Sequence, residues 1–329
     1  MHDLILRAWQ DKNIFFYVVL VPLSWLFAVI IVLRRFMYRV GLLRSYALPV
    51  PVIVVGNINM GGSGKTPVVI WLVNQLKAHG YRPGVISRGY GGKVTQPTSV
   101  QADSLPSLVG DEPVLIAQRT GCPVYVFADR IEAGKSLLEN HPACDIIISD
   151  DGLQHYRLQR KIEIAVVDQQ AQQNQHLLPA GPLREPHVRL ASVDAVILNG
   201  NVSMKDGYPM QLLAKEFYNL LNPAVKQTVS YFKDKQVAAL AGIGKPERFF
   251  QQLQTLGLKF SQWPFSDHHA FIRQDLSNIE CDALIMTEKD AVKCHTFAEG
   301  HYWVLPVEAK IDSGFMPMLL SKLQQKTNE

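Results

Sequence analysis

Only four cysteines occur in the 329 residues, Cys122, Cys144, Cys281 and Cys294, and no two are spaced as C-x-x-C. That excludes the paired-ligand pattern of a structural zinc site, which Cys294-His295 near Cys281 also lacks, and it gives no disulfide framework. Four isolated thiols fit a reduced, cytosolic compartment. Charge of one sign is equally scarce. Lys and Arg number 33 against 29 Asp and Glu, and a net charge of +4 gives no argument for nucleic acid. There are no internal repeats and no low-complexity stretches, so a solenoid or a disordered tail is not expected. The length allows two domains of ordinary size, each with its own core.

What the chain does have, early, is a long apolar run. Residues 14–33 carry no charge and are interrupted only by Pro22 and Ser24. Twenty such residues are enough to cross a hydrocarbon core of about 30 Å. Arg34, Arg35, Arg39 and Arg44 follow, whereas Arg7 and Lys12 on the other side are offset by Asp3 and Asp11. This asymmetry predicts a single N-terminal anchor with the bulk of the chain on the cytoplasmic side. The run is too long for a signal peptide, and no small-residue cleavage site precedes Arg34. Pro22 and Ser24 leave open an interfacial or tilted helix. In either case the arginines attract anionic headgroups of the membrane lipid.

The most specific local signal is Asn59-Met60-Gly61-Gly62-Ser63-Gly64-Lys65-Thr66, directly after the apolar run Val52–Val55. A buried strand, a glycine-rich turn and a Lys-Thr pair opening a helix form a phosphate cradle, in which backbone N–H groups and the helix dipole face the anion. Lys65 would reach the β- and γ-phosphates of ATP, and Thr66 would offer its hydroxyl to Mg²⁺. Asn59 stands where the general pattern has Gly, and Asn tolerates the same backbone conformations.

Downstream, apolar strands alternate with helical stretches: strands at 82–87, 124–128, 145–149, 163–167 and 195–198, helices at 66–78, 113–119 and 130–139. That order predicts a mostly parallel sheet flanked by helices. Further apolar segments at 229–232, 237–241, 283–286 and 302–305 predict a smaller α/β lobe. The expected organisation is residues 1–45 as membrane helix and basic flank, 46–232 as P-loop nucleotide-binding core, and 233–329 as the C-terminal lobe.

Several polar clusters punctuate this frame. Ile146–Gly152 ends a buried strand in Asp150-Asp151, and adjacent carboxylates there suggest a cation between them, although a capping turn would look the same. Gly110-Asp111-Glu112-Pro113 places two carboxylates at a helix start, where N-capping is the simpler reading. Asp267-His268-His269 is either an oriented imidazole or a surface His pair. Arg184-Glu185 lies in a Pro-rich loop that reads equally as a structural linker or as a site, with Arg184 suited to phosphate and Glu185 to a metal. Thr287-Glu288-Lys289-Asp290 reads equally as a base-reading loop or a helix cap, and Gly242-Ile243-Gly244-Lys245 as a tight strand-to-helix turn.

Taken in order, Gly61–Pro67, Ser87–Gly91, Gly110–Pro113, Asp150–His155, Pro179–Glu185, Ala241–Gly244, Asp267–His269 and Thr287–Lys293 resemble the tetraacyldisaccharide 4'-kinases of lipid A biosynthesis over nearly the whole chain. The resemblance implies transfer of phosphoryl from ATP, with Mg²⁺, to the 4'-hydroxyl of a glycolipid at the inner membrane. It implies Asp111 and His268 as the pair accepting the hydroxyl proton, with Lys65 and Asp151 also catalytic. Thr66, Asp150, Asp151, Glu112 and Glu185 would surround the metal, and Arg88, Tyr90 and Arg184 would meet substrate. A membrane-associated nucleotide switch is the other reading, but such ATPases often carry Lys where this chain has Met60.

Overall fold

The computed structural model describes residues 14–169, 171, 175–200, 202 and 204–325. Asp3, Arg7, Asp11 and Lys12, the flank ahead of the apolar run, lie outside them. That run forms helix α1, Ile14–Arg39, about 39 Å long at 1.5 Å per residue.

Two sheets carry the fold. The first has nine strands in the order β15-β8-β7-β6-β1-β5-β2-β4-β3. Its centre is β1 (Val52–Gly56), parallel to β5 (Ile146–Asp150) on one side and β6 (Ile162–Asp168) on the other. β2 (Pro83–Ser87), β4 (Val124–Val126), β7 (Ala195–Asn199) and β8 (Gly207–Leu213) extend it in parallel, and β3 (Thr98–Val100) and β15 (Glu308–Ile311) close its edges antiparallel. All five residues of β1, β2 and β5 are buried, as a sheet covered on both faces requires. Helices α2 (Lys65–Ala78), α4 (Asp111–Thr120) and α5 (Arg130–Asn140) supply cover; α3 is a single turn, Pro106–Val109. In α2, Val68, Val69, Ile70, Leu72, Val73 and Leu76 are buried, each worth roughly 1.5–3 kcal/mol of transfer free energy when fully buried.

The second sheet has six strands, β10-β9-β14-β13-β11-β12. Its parallel centre is β11 (Val237–Ala241), β13 (Ala283–Thr287) and β14 (Tyr302–Leu305), with β12 (Ser261–Pro264) at one edge. β9 (Phe217–Asn219) and β10 (Lys226–Gln227) extend the other edge antiparallel. Helices α6 (Pro246–Thr255), α7 (Arg273–Ser277) and α8 (Glu288–Cys294) belong to this lobe. The chain does not divide between the sheets at one point. β9 and β10 precede residue 233, while β15 and the final helix α9 (Phe315–Gln324) return to the first core, where Phe315 packs with Trp71.

Val229–Phe232, expected as a strand, is instead a 3-10 turn. Its apolar content serves one buried side chain: Phe232 packs edge-on against Phe217 with ring centroids 4.8 Å apart. Helix α1 is not free of the protein. Ser24 is buried and donates to the Leu177 carbonyl at 2.9 Å, Phe27 and Ala28 pack on the first core, and Arg35 reaches Ser192. Its other side leaves Trp25, Leu26, Val29 and Ile30 exposed.

Candidate active site

Parallel strands end together, and their carboxyl ends make the cleft. Val55 of β1 pairs with Asp150 of β5, so the glycine turn and the paired aspartates emerge side by side. β6 ends in Asp168 and β7 in Asn199 one strand further along, themselves register partners.

The turn is held in shape by contacts within the protein. Gly64 precedes α2 at φ +92°, and a Cβ there would collide with the Asn199 amide at 2.5 Å. Only glycine fits this approach. Asn199 donates to the Ser63 carbonyl at 2.8 Å. Asn57 donates to Asn59 and the Gly61 carbonyl at 3.3 and 3.4 Å, and Asn59 donates to Asp168 at 3.3 Å. Asn59 therefore braces the turn through its side chain. The Pro-rich loop pins the other flank, where Met60 N–H donates to the Pro182 carbonyl at 2.7 Å.

Lys65 opens α2 and lies 3.5 Å from Asp151. Arg184 donates to the same carboxylate at 3.1 Å. Burial pushes the Asp151 carboxyl up, but Lys65 and Arg184 outweigh it and hold it below the usual range. Asp150 lacks such partners. One oxygen accepts from Ser87 at 3.3 Å, and the other is buried with no partner. Burial, then Glu112 and Asp151, push its carboxyl up to about 7. A buried, orphaned carboxylate oxygen beside two more carboxylates suits a hard divalent cation. Among the described residues no three His, Cys, Asp or Glu side chains are already grouped as a metal site.

Glu185 sits apart from this group. It is 1% exposed and accepts from Gln154 at 2.7 Å and from the Tyr156 hydroxyl, with Arg189 3.3 Å away. Arg184 and Glu185, adjacent in sequence, thus face different partners.

Across the cleft, His268 Nδ1 lies 3.1 Å from an Asp111 carboxylate oxygen. Gly110 makes the approach possible: at φ +92°, a Cβ there would meet the Tyr90 carbonyl at 2.8 Å. Asp111 does not cap through the helix start alone, since His268 takes its other oxygen while the Glu112 N–H takes the first. Burial would raise the Asp111 carboxyl, yet the His268 hydrogen bond and Lys289 bring it below its ordinary value. That same hydrogen bond raises His268 despite burial. The Tyr90 ring stands 5.1 Å from the imidazole. His269, by contrast, pairs locally with Asp275 at 3.0 Å.

Among the described residues, Asp151 (φ +47°) and His268 (φ +57°) are the two non-glycines in left-handed backbone. Both are at the cleft, where such conformations tend to be retained for function.

Three basic residues escaped the sequence reading. Lys289, in the first turn of α8, lies 3.1 Å from Glu112, 3.5 Å from Asp267 and 3.9 Å from Asp111. Those three carboxylates hold its ammonium charged against the cost of burial. Its neighbour Thr287 accepts from the Asp290 N–H at 3.1 Å, so the helix-cap reading of this motif holds. Arg130 is 6% exposed, donates to the Asp151 carbonyl at 3.4 Å and keeps Nε unpartnered. Arg248 is the third, at the glycine turn. Lys289 and Arg130 are cations in the first turns of helices, where the dipole disfavours them. That mismatch was the available signal. Arg88 is exposed nearby.

Residues 16–324 match the sequence model of the LpxK family, described as tetraacyldisaccharide-1-P 4'-kinase. Proteins named tetraacyldisaccharide 4'-kinase from Methylobacillus flagellatus and Azoarcus sp. are each 50% identical, over 306 and 311 residues, with 93% of this chain and 91% of theirs covered. A crystal structure of LpxK from Aquifex aeolicus in complex with ATP is 28% identical with a TM-score of 0.78, covering 92% of this chain and 98% of that one.

Proposed function

Since the chain belongs to the tetraacyldisaccharide-1-P 4'-kinase family, we propose that it transfers the γ-phosphoryl group of ATP to the 4'-hydroxyl of tetraacyldisaccharide 1-phosphate, the lipid A precursor. The observation that carries this is the Asp111–His268 pair, joined at 3.1 Å, with His268 on a loop whose Asp267 stands beside Gly244 where that residue approaches the Gly62 N–H of the cradle.

The cradle residues Asn59 to Thr66 hold the triphosphate, with backbone N–H groups and Lys65 as donors. Lys65 exchanges Asp151 for phosphate oxygens. Thr66, Asp150, Asp151 and Glu112 are the residues that would hold Mg²⁺, whose charge would offset that of the phosphates. Glu185 supports from behind, through Gln154, which also donates to the Asn57 carbonyl. Asp111, ionised and buried, keeps the Nδ1 proton in place on His268. Nε2, with the Asp267 carboxylate 3.8 Å away, is then the nitrogen that takes the proton of the acceptor hydroxyl as the new P–O bond forms. Alignment of hydroxyl and phosphate contributes more than the base itself. Arg88, Tyr90 and Arg184 are assigned to the sugar phosphate.

The acceptor is held in a bilayer by its acyl chains, each buried CH₂ being worth about 0.8 kcal/mol. The exposed apolar side of α1, with Arg34, Arg35 and Arg39 at its end, would place the cleft at that surface, on the cytoplasmic face of the inner membrane. Incubation with γ-labelled ATP and the disaccharide lipid should put label on the sugar 4' position. ATP hydrolysis indifferent to the lipid would overturn the assignment.

A further inference from the structure

The turn from Gly244 to Arg248 brings the second lobe onto the phosphate cradle. Asp168, at the end of β6, has a side chain that is 0% exposed. One of its oxygens accepts from Lys245 at 2.5 Å and from Arg248 at 3.0 Å. The other accepts from Asn59 of the cradle at 3.3 Å and from the Ala171 N–H at 3.3 Å. Arg248 also donates to the Gly62 carbonyl at 3.3 Å. Two cations from one lobe thus close on a buried carboxylate of the other, and the same groups hold the backbone that cradles phosphate.

The loop bearing His268 stands on this turn. A Cβ at Gly244 would lie 3.1 Å from an Asp267 carboxylate oxygen and 3.8 Å from the Gly62 N–H. The approach of Gly244 to Gly62 is thus one of the contacts that set the distance between His268 and the cradle, beside the His268–Asp111 and Lys289–Glu112 pairs. A buried carboxylate with two charge-assisted hydrogen bonds has one favourable geometry and is costly to leave unpaired.

We infer that Lys245 and Arg248, through Asp168, are positioning residues for the transfer: they fix the lobe that carries His268 in register with the glycine turn. The inference rests on the function proposed above.

Lys245→Met and Arg248→Met, singly and together, test it in the full chain with detergent-dispersed glycolipid. Both side chains are partly exposed, at 21% and 42%, but removing both leaves Asp168 buried with only Asn59 and the Ala171 N–H, at a cost in stability; thermal unfolding establishes that each variant is folded, and the triple variant with Asp168→Asn removes the unpaired charge. The double variant should lose kcat by roughly 10- to 100-fold, the scale of a 1 Å misplacement, while equilibrium binding of a fluorescent ATP analogue changes by less than about threefold. Lys245→Arg should retain most of the rate, and adding Asp168→Asn to the double variant should cost little more, because all act through one junction. Spin labels on Glu132 of α5 and Gln254 of α6 should give a distance distribution that broadens in the double variant. An unchanged kcat, a loss confined to ATP affinity, multiplicative losses or an unaltered distance distribution would each overturn the inference. If the parent protein moves no phosphate to the lipid, the proposed function fails, and the label distances still decide the role of the junction.

Discussion

Replacing Asp111 by Asn tests the pairing on which proton transfer depends. The carboxylate is 4% exposed and accepts from His268, with Lys289 3.9 Å away. The amide keeps the shape but presents a donor where an acceptor stood. The Glu112 N–H, which donates to the far oxygen of Asp111, holds the amide oxygen there and turns the NH2 toward His268, so the imidazole accepts at Nδ1 and keeps its proton on Nε2, the nitrogen that must take one. Loss of positioned base catalysis costs roughly 10²- to 10⁴-fold in kcat, or about 3–5 kcal/mol in the barrier. ATP binding should change little, because Asp111 lies across the cleft from the glycine turn. A pH series adds an independent check. His268 is raised by Asp111, so the stability that their pairing contributes is complete below the ordinary His value and lost as pH rises through the raised one. Asp111 is lowered, so its share is lost only as pH falls through that lowered value. The variant should therefore be less stable than the parent by about 1–3 kcal/mol near pH 6, and by less near pH 9. In the parent, kcat/KM should rise with pH through the raised His268 value; in the variant that limb should move to lower pH. Steady-state kinetics across pH and thermal unfolding measure both. Intact kcat with weakened ATP binding would refute the base assignment and move Asp111 to the metal.

Three further outcomes follow from the same geometry. Lys65→Met should lower transfer by roughly 10²- to 10³-fold while the protein stays folded, with a lower melting temperature from the loss of the Asp151 pairing; near-normal turnover would remove the phosphate assignment. Asp150, raised to about 7 by burial and its carboxylate neighbours, is partly protonated near neutrality. Binding of Mg²⁺ with ATP should therefore release protons near pH 6.5 and fewer above about pH 8.5, read by calorimetry in buffers of different ionisation heat; no buffer dependence would place the metal elsewhere. The same sign makes Asp150→Asn stabilising above pH 7 in the absence of metal. Deleting residues 1–33 should leave the two sheets folded, since α1 contributes one face only, but should abolish flotation with anionic vesicles; unchanged flotation would exclude α1 as the anchor.

Much of the site was readable residue by residue. The strand, turn and helix of the phosphate cradle are local, and their residues fold that way for reasons confined to about fifteen positions: burial on both faces, left-handed glycine, and a helix start at Lys65. Asp150 and Asp151 followed for the same reason, as the polar end of a buried strand. The lobes were readable as alternating patterns, although β3, β9, β10, β12 and β15 are short edge or near-edge strands whose composition carries little periodic signal.

The sequence by itself determined which chemistry is available: a phosphate-binding turn, clustered carboxylates, a histidine and an apolar helix. Only the tertiary structure decided which of these groups meet. Asp111 looks like a helix cap and His268 like half of a surface pair until two sheets bring them together across 157 residues. Glu185 looks like a metal ligand, and only the structure sets it against Gln154, Tyr156 and Arg189. Lys289 lies in a motif that reads as a helix cap, and Arg130 and Arg248 carry no motif at all. The physical reason is range. Backbone conformation and burial pattern are set by neighbours in the chain, whereas a charge is assigned its partner by how separate cores pack.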